Sequence, residues 1–129
     1  MNIGEAAYQS GVPAKTIRYY EEIGLIPPAA RNANNYRHYQ DTSVRTLQFL
    51  KRARSLGFGI DECRELLSLY EDSDRSSGDV RALAQERVSG IDRKIEELMG
   101  MRDTLVQLIE RCQGDERPDC PILEDLAGA

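Results

Sequence analysis

Nine positions between Ala84 and Cys112 succeed one another in alternating steps of four and three: 84, 88, 91, 95, 98, 102, 105, 109 and 112. They carry Ala, Val, Ile, Ile, Leu, Arg, Leu, Ile and Cys, so all but Arg102 suit a buried seam. This spacing keeps an apolar stripe in line on a helix wound against another helix, which is the pattern of a coiled coil. The predicted helix covers residues 80–112 and, at 1.5 Å per residue, is roughly 50 Å long. What precedes it is long enough only for a small head, with no helix of matching length to cover such a stripe. Pairing with a second copy of the chain is the economical solution, and folding back on the head is the alternative.

The head reads as short helices around a hairpin. Ile3, Ala6, Ala7 and then Val12 suggest an amphipathic helix closed by Ser10-Gly11. Pro13 suits the first turn of a second helix that runs from Ala14 through Glu22 and ends near Gly24. Two short helices joined by a glycine-containing turn read as a helix-turn-helix, with Ala7, Gly11 and Ile17 at the offsets of that motif. Leu25-Ile26-Pro27-Pro28 and then Arg31 to Tyr39 suggest two short extended pieces about an asparagine-rich turn, a β-hairpin wing. Asparagine tolerates the left-handed backbone such a turn needs. Helical spacing returns over 41–56 through Val44, Leu47, Leu50 and Ala53, stops at Gly57, and resumes from Asp61 to Tyr70 with Leu66 and Leu67 inward. Residues 71–79 carry no apolar side chain and form a linker, and Ser76 with Asp79 suggests the cap of the long helix.

Charge is divided along the chain. Residues 1–60 hold eight Lys or Arg against four Asp or Glu, and residues 61–129 hold nine against eighteen. A basic head can meet phosphates although the whole chain carries a net −5. Lys15 and Arg18 lie on the second helix, where side chains enter a major groove or meet phosphates, and Tyr19 and Tyr20 add phenols and apolar surface. Arg31, Asn35, Tyr36 and Arg37 lie on the wing, suited to backbone contacts beside the groove. Lys51, Arg52 and Arg54 form a further basic cluster. As a set these residues point to double-stranded DNA.

The stretch Thr16-Ile17-Arg18-Tyr19-Tyr20-Glu21, with Gly24-Leu25-Ile26 and Asn35-Tyr36-Arg37-His38-Tyr39, closely resembles the MerR family of transcription activators. So does the order of parts over nearly the whole chain, and within the family the copper-efflux regulator branch is most similar. The wing turn departs from the family's common Asn-Gly-Tyr-Arg by carrying Asn34-Asn35-Tyr36-Arg37. The resemblance implies a mainly α protein: a winged helix-turn-helix head over 1–70, a linker over 71–79, a long antiparallel coiled-coil dimerisation helix over 80–112, and a short C-terminal metal-binding loop and helix over 113–129. It implies a homodimer that activates copper-homeostasis or efflux genes by distorting an overlong promoter on effector binding, so that RNA polymerase engages both promoter elements.

Three cysteines, Cys63, Cys112 and Cys120, are an odd number, which speaks against a disulfide framework and for metal or redox chemistry. Cys112 closes the long helix and Cys120 precedes a short one begun by Pro121, a setting that favours the Cys120 thiolate. Structural zinc wants four ligands and a [2Fe–2S] centre four cysteines, which this loop does not supply. Thiolate-only ligation favours Cu(I), and by extension Ag(I) or Au(I). The pair resembles the two-cysteine loop of the copper branch. The resemblance also gives Ser77 a role: relatives that sense divalent ions carry cysteine there, whereas monovalent sensors carry serine, contributed from the partner subunit beside the loop. Cys63, on an apolar face with Leu66 and Leu67, reads as a buried structural thiol, and His38, the single histidine, as a surface or DNA-side residue.

Other classes fit less well. There is no Cys-x-x-Cys, βαβ pattern or nucleophile–base pair to suggest an enzyme, and the basic, aromatic head disfavours a purely structural coiled coil. No signal peptide or membrane-length apolar run is visible, so a cytoplasmic protein without a membrane partner is expected. The closest rival is a thiol-redox regulator that joins Cys112 to Cys120 in a disulfide.

Overall fold

A computed structural model describes residues 1–128, in two compact units that divide between Leu83 and Ala84. In the first unit α1 (Ile3–Ser10), α2 (Ala14–Glu22), a two-stranded wing, α3 (Asp41–Ser55) and α4 (Ile60–Glu71) follow in order. α5 (Ser77–Arg111) begins there and continues through the second unit, which α6 (Pro121–Leu126) completes.

Local chemistry sets the helix ends. Asn2 caps α1, its side chain accepting from the Glu5 N–H at 2.8 Å, and Gly11 closes it in the left-handed region at φ 74°. Any side chain at Gly11 would be strained there and would also run into Lys51, which lies over the turn. Ser10 is buried but satisfied, accepting the Val12 N–H at 3.1 Å. Pro13 stands at the N-cap of α2, where its missing N–H costs no helical bond. Glu62 reaches back to the Gly59 N–H at 2.9 Å to begin α4. α5 begins at Ser77, three residues before the predicted start, because the Ser76 hydroxyl accepts the Gly78 N–H at 3.0 Å.

The apolar stripes of these helices close on one core. Ala6 of α1, Ile17 and Tyr20 of α2, Val44, Leu47, Leu50 and Ala53 of α3, and Cys63 and Leu67 of α4 meet Val12, Leu25, Ile26, Tyr39 and Phe58 from the connections. α1 packs on α2 and α3, and α3 on α4. Ile17, Leu47 and Leu50 are wholly removed from solvent, each burial contributing about 2 kcal/mol. α2 is thereby fixed by one face, with the other free.

The wing is short and tightly made. β1 (Ala30–Arg31) pairs antiparallel with β2 (Arg37–His38), Ala30 opposite His38 and Arg31 opposite Arg37. Asn32 organises the turn: its side-chain oxygen accepts from the Asn34 and Tyr36 N–H groups at 3.0 and 3.1 Å. Asn35 takes the left-handed conformation at φ 64°, alone among the described non-glycine residues. The Tyr39 N–H, just past β2, donates to the Met1 carbonyl at 2.7 Å and ties the wing to the start of the chain.

In the second unit, Val88, Ile91, Ile95, Leu98, Leu105 and Ile109 of the seam are all exposed in the single chain, at 38–60 %. Leu108 is buried. No helix among the described residues is long and apolar enough to cross a membrane.

Candidate functional site

Burial sorts the residues of α2 by phase. Ile17 and Tyr20, three apart, face the core, whereas Lys15, Arg18 and Tyr19 lie on the opposite stripe in solvent. The expectation that Tyr20 contacts DNA is corrected by its place in the core, where it is 6 % exposed. Its neighbour Tyr19 is 49 % exposed and retains that capacity, with the two rings 6.2 Å apart.

Arg18 does not stand alone. A cleft of about 740 Å³ runs from α2 to the wing and is lined by Arg18, Arg31, Asn32, Tyr36, Arg37 and His38, with Met1 to Ile3 on its edge. Three arginines line one concavity, with Tyr36 exposed beside them, and together they can bind an anionic backbone. Arg31 is also held to the turn, its Nη1 donating to the Asn35 carbonyl at 3.0 Å. Lys15, Tyr19 and Asn35 lie outside that lining. Arg54 also lies outside it and donates to the Phe58 carbonyl at 2.8 Å, closing the α3–α4 turn.

Behind the cleft, α2 is fastened at its C-terminal end by Tyr39, Arg37 and Arg64, and nothing in the sequence pointed to Arg64. The Tyr39 hydroxyl donates to Glu21 Oε1, and Arg37 Nη1 lies 3.8 Å from Glu21 Oε2. Burial first, and then the Glu21 carboxylate, push the Tyr39 hydroxyl up to about 12, while Arg37 pulls it down. From α4, Arg64 donates to the carbonyls of Gly24 at 2.9 Å and Ile23 at 3.2 Å, capping the end of α2. Glu21 carried one local sign of such a role: an acid in the last helical turn opposes the helix dipole and needs a partner elsewhere.

The loop between Cys112 and Cys120 lies in the second unit. Cys112 follows the last turn of α5, its N–H shared between the Leu108 and Ile109 carbonyls at 3.2 and 3.1 Å. Cys120 is the N-cap of α6, with Pro121 in its first turn. Both are free thiols and half-buried. Between them Gly114 takes a positive φ, and Asp115 accepts from the Arg117 N–H and guanidinium at 2.9 and 2.8 Å. Arg117 holds the Asp115 carboxyl below the usual carboxylate range. That acid is therefore engaged inside the loop.

The donor set can be tested for fit. Among the described residues, no three His, Cys, Asp or Glu side chains group to hold an ion. A harder divalent ion, which needs three or four donors, finds no such set within one chain. Two thiols are a donor set suited to a soft ion of low coordination number. Cys63 belongs to the first unit and is wholly buried, its thiol directed to the Phe58 carbonyl. Burial raises its pKa, which leaves it a poor thiolate. Ser77 is exposed in the first turn of α5, and the capping hydroxyl there is that of Ser76.

Comparison with known proteins agrees with this architecture. The chain matches the family described as "MerR HTH family regulatory protein" over residues 1–69 and that described as "MerR, DNA binding" over residues 44–108. It is 59 % identical over 127 residues to the HTH-type transcriptional regulator HmrR of Rhizobium leguminosarum bv. viciae, covering 98 % of each chain. It is 44 % identical to the HTH-type transcriptional regulator CueR of Salmonella typhimurium, covering 99 % of this chain and 93 % of that one. Among solved structures, the transcription regulator PbrR691 of Ralstonia metallidurans in complex with lead(II) superposes with a TM-score of 0.85 at 32 % identity, covering 98 % of both chains. With a helix-turn-helix, a basic wing and a helical extension already in place, the chain belongs to the MerR family of helix-turn-helix transcriptional regulators, DNA-binding proteins and not enzymes.

Proposed function

We propose that this protein is a metal-responsive transcriptional activator of copper-homeostasis or efflux genes, switched by Cu(I), with Ag(I) and Au(I) as ions of the same chemistry. The observation that carries the reading is the pair of half-buried free thiols, Cys112 and Cys120, at the two ends of one short loop. The relatives named HmrR and CueR support the metal-responsive branch. Two thiolates balance a monovalent ion to one net negative charge, whereas a divalent ion would be left short of donors. Ser77, in place of a third thiolate, favours the same selectivity when contributed by the partner subunit.

In this reading the head holds promoter DNA through the Arg18, Arg31, Tyr36 and Arg37 cleft, with Lys15, Tyr19, Asn35 and Arg54 as flanking contacts. The exposed seam of α5 supports a homodimer, which presents two heads to a two-fold operator. Effector binding then changes the promoter's distortion so that RNA polymerase can use it. The protein acts in the cytoplasm.

The test combines metal stoichiometry of the reduced protein with promoter output against Cu(I), Ag(I), Zn(II) and Hg(II). Wild type should bind one Cu(I) per site and answer the monovalent ions. Cys112→Ser and Cys120→Ser should each lose the response and keep DNA binding, because two-coordinate ligation has no redundancy. Ser77→Cys should gain a response to Zn(II) or Hg(II). A Cys120→Ser protein that still answers Cu(I), or a wild type that answers Zn(II) equally, overturns the reading. Activation by oxidant without metal would transfer the two cysteines to a disulfide switch.

A further inference from the structure

The end of α2 carries a charge arrangement that DNA contact alone does not explain. Glu21 is an acid in the last turn of the helix that faces DNA, and its side chain is 7 % exposed. Its two oxygens are divided: Oε1 accepts the Tyr39 hydroxyl, and Oε2 faces Arg37 Nη1 at 3.8 Å. That distance is an ion pair without a hydrogen bond. Arg37 Nη1 is itself buried and has no hydrogen-bond acceptor among the described residues. That nitrogen is closed to a ligand and is held towards the carboxylate, whereas the Arg37 side chain as a whole is 36 % exposed, so its outer part is open to solvent. Arg37 lines the cleft with Arg18 and Arg31.

We propose that Glu21 is a positioning residue for the wing: through Tyr39 and Arg37 it sets the Arg37 guanidinium, relative to α2, to receive a DNA backbone phosphate. The inference rests on the reading of Arg37 as a phosphate contact. Tyr39 and Arg37 flank His38 at the end of β2, and in extended chain residues i and i+2 share a face. One carboxylate on α2 therefore grips the two consecutive same-face residues of the wing strand. Because the wing is only two residues per strand, its own ladder holds it weakly, and this grip supplies an orientation that the hairpin lacks.

The alternative is that Glu21 merely neutralises a cation. The two accounts predict opposite signs. Removing an acid beside a phosphate-binding cleft should tighten DNA binding if its effect is only Coulombic, and weaken it if the acid positions Arg37. The measurement is operator affinity against salt concentration for full-length wild type, Glu21→Ala, Glu21→Gln, Arg37→Ala and the Glu21→Ala/Arg37→Ala double variant, with thermal melts of each. Glu21→Ala should weaken binding on the order of tenfold and lower the salt slope by about 0.9 per head, as Arg37→Ala does. The double variant should be no weaker than Arg37→Ala alone. Glu21→Gln keeps an acceptor for Tyr39 and should fold as wild type, yet lose part of the slope, which a loss of fold alone would not produce. Wild-type or tighter binding by Glu21→Ala and Glu21→Gln, with Arg37→Ala weakened, overturns the positioning role and leaves the phosphate contact standing. Arg37→Ala at wild-type affinity and slope overturns both.

Discussion

Tyr39 is 3 % exposed, and its hydroxyl proton is committed to Glu21. A phenol in the unfolded chain releases its proton near pH 10, whereas burial and the adjacent carboxylate push Tyr39 up to about 12 in the folded head. Below pH 10 both states hold the proton, so the full stabilisation is present. Between 10 and 12 the unfolded chain loses its proton while the folded one keeps it, and stability falls as pH rises. The contribution at stake is on the order of 2 kcal/mol. Tyr39→Phe should therefore be less stable than wild type at pH 8, and the gap should close as pH approaches 12. Urea unfolding at pH 8, 10 and 11.5 would check this; a gap that stays constant across the series would mean that the hydroxyl does not carry the shift. Its neighbour in the core, Tyr20, shows where reading by residue type failed. Tyr19, Tyr20, Tyr36 and Tyr39 look alike in the sequence, yet two are core residues and two are exposed.

Among the helices, α1 to α4 were legible because each has a stripe of small or aliphatic side chains at helical spacing and a residue that ends it. The wing was legible because asparagine is one of the few side chains that accept its turn, which Asn35 does at φ 64°. Tyr20 was legible in principle, since Ile17 and Tyr20 lie three apart on one stripe while Lys15, Arg18 and Tyr19 make another. The fastening of α2 was not legible. Arg64 lies forty residues beyond Gly24 in the chain, and nothing local connects them. That cap should be measurable: Arg64→Ala frees the Ile23 and Gly24 carbonyls and should cost the head about 1 kcal/mol. Arg64→Lys should restore only part of it, since one ammonium does not reproduce two donors set at 2.9 and 3.2 Å. Thermal melts of the three proteins decide the matter, and equal melting temperatures would show the contact to be without weight.

For the molecule as a whole, the division of charge and the seam of α5 bear on the same requirement. The first sixty residues are basic and the rest strongly acidic, so only the head is attracted to phosphate. One small head on DNA is a weak, salt-sensitive binder, and a regulator that recognises a two-fold site needs two heads held together. The seam offers the means: Val88, Ile91, Ile95, Leu98, Leu105 and Ile109 stand exposed at 38–60 % along one helix of 35 residues. Burying such side chains against an identical stripe contributes about 1.5–3 kcal/mol for each one fully covered, enough over the six to hold a dimer at low concentration. Ile91→Glu with Ile95→Glu would put acids on two successive seam positions in an already acidic segment, each facing its own kind or apolar surface in the partner. The variant should sediment as a single 14.6 kDa chain, while wild type sediments as a dimer. Its head is unaltered, so circular dichroism and the melting of the head should be retained. Operator affinity should nevertheless fall by about 100-fold or more, because the second head no longer binds at the effective concentration set by the first. Sedimentation and operator titration on the same preparation give the decision. A variant that remains dimeric would move the interface off this seam, and a monomer that binds the operator as wild type does would remove the need for two heads.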